Sequence, residues 1–262
     1  MQFTLTFLQD VERTSDNTRE RIGKKMGDII LTMKGIDKSF PGVHALDHVD
    51  LEIRKGEVLA LMGENGAGKS TLMKILTGLI HDYKGSVLIN DNTPGYKTKA
   101  VTAYLPEQTF IHDWMRNIDA VDYFNDFFKD FDKAKAMEML NRFSLPEKQK
   151  CKTMSKGMQE KLLLSLTMAR NAELYILDEP MGGVDPAARA FILDTIMKNH
   201  PEGSTILIST HLIYDVEKIF NSVLMIGRGQ VLVKARVEDI TAAGKTIEDL
   251  FKEGFANAWQ VN

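Results

Sequence analysis

One glycine-rich segment constrains the fold of this chain more than any other feature. It consists of Gly63, Glu64, Asn65, Gly66, Ala67, Gly68, Lys69, Ser70 and Thr71. This order matches the phosphate-loop pattern, in which spaced glycines precede a lysine and a hydroxyl residue. The continuously apolar run Val58–Met62 comes before it, as expected of a strand covered on both faces, and a helical pattern begins at Ser70. We therefore predict a strand, a phosphate-binding loop and a helix in that order.

The residue types in this segment suit the binding of a nucleoside triphosphate. Glycines let successive backbone N–H groups point at phosphate oxygens, and the following helix adds the positive end of its dipole. We expect Lys69 to bridge the β- and γ-phosphates and the Ser70 hydroxyl to bind Mg²⁺. Every residue from Gly63 to Thr71 is a candidate nucleotide contact.

Two adjacent carboxylates follow a second apolar run. Leu174–Leu177 is predicted to be a buried strand, and Asp178 and Glu179 stand at its carboxyl end, the edge where parallel sheets bind ligands. Neighbouring side chains on a strand point in opposite directions. We expect Asp178 to complete the Mg²⁺ shell and Glu179 to face the γ-phosphate and polarise the attacking water. The alternative is a solvated acidic pair without a catalytic role.

Length, charge and cysteine content exclude several other classes of protein. The 262 residues suffice for one large domain or two small ones, and 33 Lys and Arg against 36 Asp and Glu leave a formal charge of −3. We therefore expect no nucleic-acid partner attracted by charge. The single cysteine, Cys151, favours a reducing cytoplasm. Apolar runs are far shorter than the roughly 20 residues that span a bilayer, so we expect the chain not to cross a membrane.

The pattern along the chain predicts an α/β fold. Continuous apolar runs that alternate with helical stretches, Leu174–Leu177 and Ile206–Ile208 among them, favour a parallel sheet with crossover helices. Ile29–Leu31 and the alternating Val49–Ile53 suit antiparallel strands, and a hairpin turn is predicted around Gly227–Gln230.

Aromatic and aliphatic side chains recur every three or four positions between Val121 and Phe143. This is the period of a pair of amphipathic helices. We interpret the stripe as core, and a surface that docks a partner is the alternative.

A third motif makes the chain resemble a known family. It consists of Met154, Ser155, Lys156, Gly157, Met158 and Gln159. It is similar to the signature motif of ATP-binding cassette (ABC) ATPases, which other phosphate-loop enzymes lack. Lys156 and Met158 depart from the commonest spelling, as in compact exporter-type cassettes. In the family this serine and glycine contact the γ-phosphate of ATP bound to the opposite subunit, so the resemblance implies that role for Ser155 and Gly157.

The resemblance covers roughly Ile29 to Glu238. It implies an α/β phosphate-loop NTPase fold of ABC type, with a RecA-like parallel-sheet core, an antiparallel β subdomain and a helical subdomain. We expect an N-terminal extension at 1–27 that need not be ordered, an ABC ATPase domain at 28–240 and a C-terminal helical tail at 241–262. The helical subdomain is expected at about 108–170.

Further positions match motifs of the family one by one. Gly183, Val184 and Asp185 resemble the loop through which the two subunits communicate, which makes Asp185 a candidate nucleotide-site residue. His211 resembles the switch histidine, which orients the attacking water, and Phe40 resembles the aromatic residue that stacks on adenine. The alternatives are a surface histidine and a core phenylalanine.

The glutamine loop of the family is matched with an offset. The usual glutamine aligns with Glu107, and Gln108 lies one place later. We assign the metal contact to Gln108 and keep Glu107 as the alternative.

The other histidines show no ligand-spaced grouping with cysteines or carboxylates along the sequence. They are His44, His48, His81, His112 and His200. We interpret them as structural or exposed.

The resemblance implies an ATP-binding and hydrolysing subunit of an ABC transporter that uses Mg²⁺. Two such subunits, as a homodimer or a heterodimer, would enclose ATP and drive separate transmembrane permease subunits at the cytoplasmic face of the cell membrane. Residues from Tyr104 to Val233 resemble compact exporters of drug, peptide or lipid, whereas Ile36 to Leu79 resembles sugar importers. Sugar-importer chains generally carry two cassettes, and this chain has one phosphate loop, so we favour export. Sugar import and a soluble, non-transport ABC ATPase are the alternatives.

Overall fold

The structure of the chain is a computed structural model that describes residues 28–182, 186–211 and 219–259, apart from the side chains of 186–188 and 255–259. The expected N-terminal extension and the expected contact at Asp185 lie outside the described residues. The described strands are β1 (Ile29–Phe40), β2 (Val43–Arg54), β3 (Val58–Met62), β4 (Lys84–Ile89), β5 (Thr102–Leu105), β6 (Leu174–Asp178), β7 (Thr205–Thr210), β8 (Ser222–Gly227) and β9 (Gln230–Arg236). The described helices are α1 (Lys69–Leu76), α2 (Tyr96–Val101), α3 (Asn117–Phe127), α4 (Lys133–Arg142), α5 (Lys156–Met168), α6 (Pro186–Asn199), α7 (Val237–Ala242) and α8 (Ile247–Trp259).

A six-stranded sheet forms the centre of the fold, in the order β5-β6-β7-β3-β8-β9. Its first five strands are parallel, and β9 returns antiparallel to β8 through the predicted hairpin turn. A separate antiparallel sheet has the order β2-β1-β4. Because β3, β6 and β7 are neighbours, the residues that follow their carboxyl ends meet at one edge of the sheet.

Both faces of the central sheet are buried, which explains why β3 shows no polar alternation. Leu59 and Leu61 are fully buried in a hydrophobic cluster shared with α1 and the antiparallel sheet. Ala60 and Met62 are fully buried in a second cluster, shared with helices on the other face. Successive side chains of one strand thus enter two different cores. The strand that leads into the glycine-rich loop is held from both sides.

The aromatic stripe between Val121 and Phe143 belongs only in part to the core. Phe124 and Phe143 are buried, as predicted, whereas Phe127 is 66% exposed. The prediction of a core stripe is wrong for Phe127. The buried face of α3 passes through Val121 and Phe124 towards Phe128, and the preceding residue lies about 100° away around the helix.

None of the helices in the described ranges is long and apolar enough to span a membrane.

Arg170 joins the segment before β5 to the segment between α3 and α4. Its side chain is 3% exposed, and its guanidinium carbon lies 3.8 Å from the ring centroid of Phe128. It donates to Oδ1 of Asp130 at 2.6 Å and to the backbone carbonyls of Ala100 and Thr102 at 3.2 and 3.5 Å. The buried guanidinium can make these hydrogen bonds only while the two segments lie next to each other.

Replacement of Arg170 by methionine should lower the free energy of unfolding by about 3 kcal/mol, because removal of one partner from a buried ion pair strands the other. Urea unfolding followed by circular dichroism measures the change. The matched control is Lys133→Met, which removes an exposed ion pair with Asp122 and should change the same quantity by less than about 1 kcal/mol. Equal effects of the two substitutions would contradict the role given to Arg170.

Candidate nucleotide-binding and hydrolysis site

The glycine-rich loop between β3 and α1 is packed closely against β2 and β8. Gly68 has a φ of +106°, and a Cβ there would lie 2.5 Å from the carbonyl oxygen of Ala45. A Cβ at Gly63 would lie 2.3 Å from the carbonyl oxygen of Ile226. A side chain at either position would force the backbone apart. The close approach of two strands therefore requires these glycines.

The turn between β8 and β9 also holds the loop. The N–H of Gly229 donates to the carbonyl oxygen of Ala67 at 3.1 Å, and the carbonyl oxygen of Gly229 accepts from the N–H of Asp47 at 2.8 Å. A Cβ at Gly229 would lie 2.8 Å from the carbonyl oxygen of Ala45. One turn residue thus connects the loop with the antiparallel sheet.

Lys69 is the first residue of α1, and its side chain extends into the loop. It is 6% exposed, and Nζ donates to the carbonyl oxygens of Gly63 at 2.7 Å and Glu64 at 3.2 Å. Nζ also lies 3.4 Å from Oε1 of Glu179. A buried ammonium needs such partners, and this position is the one from which a lysine reaches the β- and γ-phosphates.

The carboxylate of Asp178 connects α1 with the end of β7. Asp178 is 2% exposed, and its Oδ1 accepts hydrogen bonds from the hydroxyls of Ser70 at 3.3 Å and Ser209 at 2.7 Å. Asp178 and Ser209 are register partners on neighbouring parallel strands. The structure therefore brings together Ser70 and Asp178, two of the three residues predicted to bind Mg²⁺. Hydroxyl and carboxylate oxygens are donors that Mg²⁺ accepts from proteins, so this pair fits the ion.

Glu179 follows β6 and has a left-handed backbone conformation, which favours glycine. Its φ is +48°, which costs a non-glycine residue about 1–2 kcal/mol. Its N–H donates to the Ser209 hydroxyl at 2.8 Å, and its Oε2 lies 2.9 Å from Nδ1 of His211. The side chain is 12% exposed, against 45% for His211. The structure thus places the predicted base beside the predicted switch histidine and the loop lysine.

Ser155 and Gly157 lie at the start of α5. The Ser155 hydroxyl accepts a hydrogen bond from the N–H of Met158 at 3.3 Å, so the helix begins with an N-cap whose neighbouring N–H groups suit an anion. A Cβ added to Gly157 would meet no atom within 4 Å. In the part of the chain that the structure describes, neither crowding nor a left-handed backbone requires a glycine at this position.

Phe40 ends β1 beside the hairpin turn to β2 and is 41% exposed. Nζ of Lys38 lies 4.8 Å from the centroid of its ring. The ring is a member of neither hydrophobic cluster among the described residues. Its stacking on adenine stays a prediction.

Glu107 and Gln108 follow β5 in an exposed segment. Burial raises the pKa of Tyr104 in β5, and the carboxylates of Asp178 and Glu107 raise this pKa further. The Tyr104 hydroxyl is therefore within electrostatic reach of both acids. No hydrogen bond joins Gln108 to Ser70 or Asp178 within the described ranges, and the metal contact at Gln108 stays a prediction.

The family follows from comparison with known proteins. The profile of the family described as ABC transporter matches residues 46–182. The chain belongs to the ABC transporter family. An uncharacterized ABC transporter ATP-binding protein of Methanocaldococcus jannaschii is 30% identical over 225 residues, which cover 84% of this chain and 82% of the relative. The lantibiotic transport ATP-binding protein SrtF of Streptococcus pyogenes is 29% identical over 226 residues, which cover 85% of this chain and 96% of the relative.

Solved structures share the fold of this cassette. The ATP-binding subunit of an ABC transporter matches it with a TM-score of 0.76 at 27% identity, over 86% of this chain and 99% of that chain. A dimeric ATP-binding cassette in a post-hydrolysis state, bound to ADP and Pi, matches with a TM-score of 0.71 at 20% identity, over 79% and 98% of the two chains. The predicted ABC-type α/β fold and the prediction of an ATP-binding ATPase subunit of ABC transporter type are confirmed.

Ser209 is a site residue to which the sequence alone assigns no role in this cassette. Its hydroxyl donates to Asp178 and accepts from the N–H of Glu179, so it holds both acids at once. The only signal in the sequence is its place just before His211 at the end of an apolar run. We infer that Ser209 positions the carboxylate of Asp178 and the backbone of Glu179.

Replacement of Ser209 by alanine should lower kcat for ATP hydrolysis about tenfold. The alanine loses both hydrogen bonds of the hydroxyl and leaves the N–H of Glu179 unpaired, which should weaken the positioning by about 1.4 kcal/mol. The KM for ATP should change much less, since Ser209 contacts the acids and not the loop. Steady-state kinetics separate kcat from KM. Ser165→Ala is the matched control, because that buried hydroxyl bonds to the Lys161 carbonyl oxygen of its own helix and should leave kcat unchanged. A change confined to KM, or equal losses of kcat in both variants, would argue against the positioning role.

Proposed function

We propose that this cassette hydrolyses ATP as a dimer and drives separate transmembrane permease subunits. The observation that carries the proposal is the start of α5, where Gly157 has open space around it and Ser155 caps the helix. Glycine inside a helix costs about 1 kcal/mol relative to alanine, so its presence indicates that another molecule approaches the backbone there. ATP held by the loop of a second chain is an anion that suits this helix start.

Within each site, the residues at the sheet edge divide the chemistry of hydrolysis. Lys69 places positive charge at the β- and γ-phosphates. Ser70 and Asp178 would hold Mg²⁺, which would supply further positive charge to phosphate oxygens. Glu179 accepts the proton of the water that attacks the γ-phosphorus, while the bond to the ADP oxygen breaks and its electron pair leaves with ADP. His211 orients Glu179 through their 2.9 Å contact.

The γ-phosphate decides whether the two cassettes stay together. In the dimer it is contacted by the loop of one chain and by Ser155 and Gly157 of the other. ATP therefore favours closure, and cleavage followed by release of phosphate removes the shared contacts. The dimeric form of a similar cassette with ADP and Pi supports this arrangement. Asp185 belongs to the same interface. Because this chain carries every motif, two copies suffice for two competent sites.

An exposed aromatic surface forms the proposed contact with the permease. We define the aromatic surface as Phe110, Tyr123 and Phe127, which are 50%, 46% and 66% exposed. Phe110 and Tyr123 both contact the ring of Phe124, and the rings of Tyr123 and Phe127 lie 4.5 Å apart. Large exposed aromatic side chains in one patch are typical of partner surfaces. Docking of a permease on this surface would hold the cassette at the cytoplasmic face of the cell membrane.

Along the sequence, Glu107 and Gln108 lie between the glycine-rich loop and the residues of the aromatic surface. Their segment would pass the closing motion from the ATPase domain at 28–240 through the helical subdomain at about 108–170 to the permease. The tail at 241–262 completes the proposed division of the chain.

Export of a drug, peptide or lipid-like cargo is the favoured direction of transport. The match to the lantibiotic transport protein, which covers 96% of that relative, supports it, as does the resemblance of Tyr104 to Val233 to compact exporters. Sugar import is the second candidate, because Ile36 to Leu79 resembles sugar-importer cassettes.

Replacement of Glu179 by glutamine should preserve ATP binding and lower turnover at least about 100-fold, because the amide cannot accept a proton. The variant should accumulate as a dimer with ATP. Fluorescent nucleotide binding, phosphate release and sedimentation velocity measure the three quantities. Glu173→Gln is the matched control, since its carboxylate is exposed and bonds to Asn90, and it should hydrolyse ATP normally. Undiminished hydrolysis by Glu179→Gln would refute the assigned base.

Addition of Gly157→Glu to the Glu179→Gln variant should abolish the ATP-dependent dimer and leave ATP binding to the monomer intact. A Cβ at this position meets no atom within 4 Å among the described residues, and the added negative charge should repel the γ-phosphate of ATP bound to the partner. A double variant that still dimerises with ATP would contradict the proposed arrangement.

Replacement of Phe110, Tyr123 and Phe127 by serine should abolish copurification of the cassette with a polytopic membrane protein and leave the ATPase activity of the isolated cassette unchanged. Tyr96→Ser is the control, because that ring is 87% exposed and lies outside the aromatic surface.

Inside-out vesicles from cells that contain the unaltered cassette and its permease should accumulate a labelled hydrophobic peptide when ATP is added. ATP-dependent loss of a labelled sugar from such vesicles would indicate import, and absence of any membrane partner would favour the soluble ATPase.

A further inference from the structure

The hairpin of β1 and β2 groups two histidines with two aspartates. Nε2 of His44 lies 3.0 Å from Oδ2 of Asp37, and Nδ1 of His48 lies 2.6 Å from Oδ1 of Asp47. Asp37, His44 and Asp47 each offer one ligand atom within 4.8 Å of the others. We call these four residues the hairpin cluster. His44 and His48 are exposed, as predicted, but the fold gives each of them a carboxylate neighbour that their spacing in the sequence does not reveal.

Strand pairing explains why the sequence hides this cluster. Lys38 is the register partner of Leu46, and irregular register on both sides of Lys38 shifts the pairing of the two strands. Asp37 and Asp47 therefore become neighbours although they are distant along the chain. The bulges that cause the shift follow no sequence spacing.

We propose that the hairpin cluster binds a divalent transition-metal ion, with Zn²⁺ as the ion to be tested, through Asp37, His44 and Asp47. Imidazole nitrogen together with carboxylate oxygen is a zinc donor set, whereas Mg²⁺ and Ca²⁺ favour oxygen alone. The donor atoms of the cluster differ from those of Ser70 and Asp178, which offer only oxygen to Mg²⁺.

One distance within the cluster matches that between two ligands of one ion. Donor atoms about 2.1 Å from a zinc ion lie roughly 3.0–3.5 Å from each other at angles between 90° and 109°. The separation of 3.0 Å between His44 and Asp37 is within that range, and the ligand atom of Asp47 lies within 4.8 Å of both. A closer approach of the Asp47 carboxylate to this pair would therefore place three ligands around one ion.

The carboxylates of the cluster are recessed and oriented. The side chains of Asp37 and Asp47 are 19% and 28% exposed, against 46% and 80% for His44 and His48. The other oxygen of Asp47 accepts a hydrogen bond from Nε2 of Gln230 at 2.6 Å. Orientation of a ligating carboxylate by a neighbouring donor is typical of metal sites.

The cluster combines two carboxylates with two imidazoles and lies near Lys84. Hydrogen bonds from His48 and Gln230 lower the pKa of Asp47. The contact with Asp47 raises the pKa of His48, whereas Lys84, the register partner of Asp37, lowers it. The carboxylates of Asp37 and Asp47 attract a divalent cation, and a proton on His48 opposes that attraction.

Isothermal titration of the untagged, nucleotide-free full chain with zinc chloride tests the proposal. The unaltered chain should bind one ion, and His44→Gln and Asp47→Asn should each lower the affinity at least about tenfold. His112→Gln is the matched control, because this exposed imidazole lies beside Trp114 and should leave the affinity unchanged. Thermal unfolding followed by circular dichroism confirms that each variant folds, and zinc should raise Tm in the unaltered chain but not in His44→Gln.

Three results would overturn the proposal. The first is a chain that binds no zinc under these conditions. The second is a His44→Gln variant that is folded and retains full affinity. The third is loss of zinc binding in His211→Gln and not in His44→Gln, which would place the ion at the hydrolysis site.

Discussion

The assembly of the hydrolysis site depends on one carboxylate oxygen. Oδ1 of Asp178 accepts hydrogen bonds from Ser70 at the start of α1 and from Ser209 at the end of β7. These three residues arrive on separate strand and helix units, and only the parallel order of β3, β7 and β6 sets them side by side. The contacts of Lys69 and His211 with Glu179 are arranged around this junction.

The glycines of the candidate site fall into two classes that cannot be distinguished from the sequence alone. Gly63 and Gly68 are required by their own fold, because a Cβ at either would lie within 2.5 Å of a carbonyl oxygen. Gly157 has open space, so its lack of a side chain relieves no contact among the described residues. The proposed approach of ATP held by a second chain would give this glycine its role.

The parts of the site that are contiguous in the chain could be predicted from the sequence, and the parts that depend on register could not. The loop and its flanking strand and helix follow from residue type and periodicity alone, and so does the acidic pair at the end of β6. The contact of Ser209 with both acids depends on the β6–β7 register. The grouping of His44 with Asp37 depends on bulges between β1 and β2. Bulges produce no periodic pattern in the sequence, so periodicity cannot predict them.

The turn at Gly229 has a consequence for how cassettes of this kind can diverge. Its N–H bonds to Ala67 in the loop and its carbonyl oxygen bonds to Asp47 in β2, so one residue near the end of the domain joins two segments near its beginning. Consider a chimera that takes its first strands from one cassette and its last hairpin from another. The hairpin turn must then have the same length and backbone conformation as this one, or the phosphate loop loses its hydrogen bond from the turn. The compatibility of swapped halves is therefore decided at this turn, far from the join.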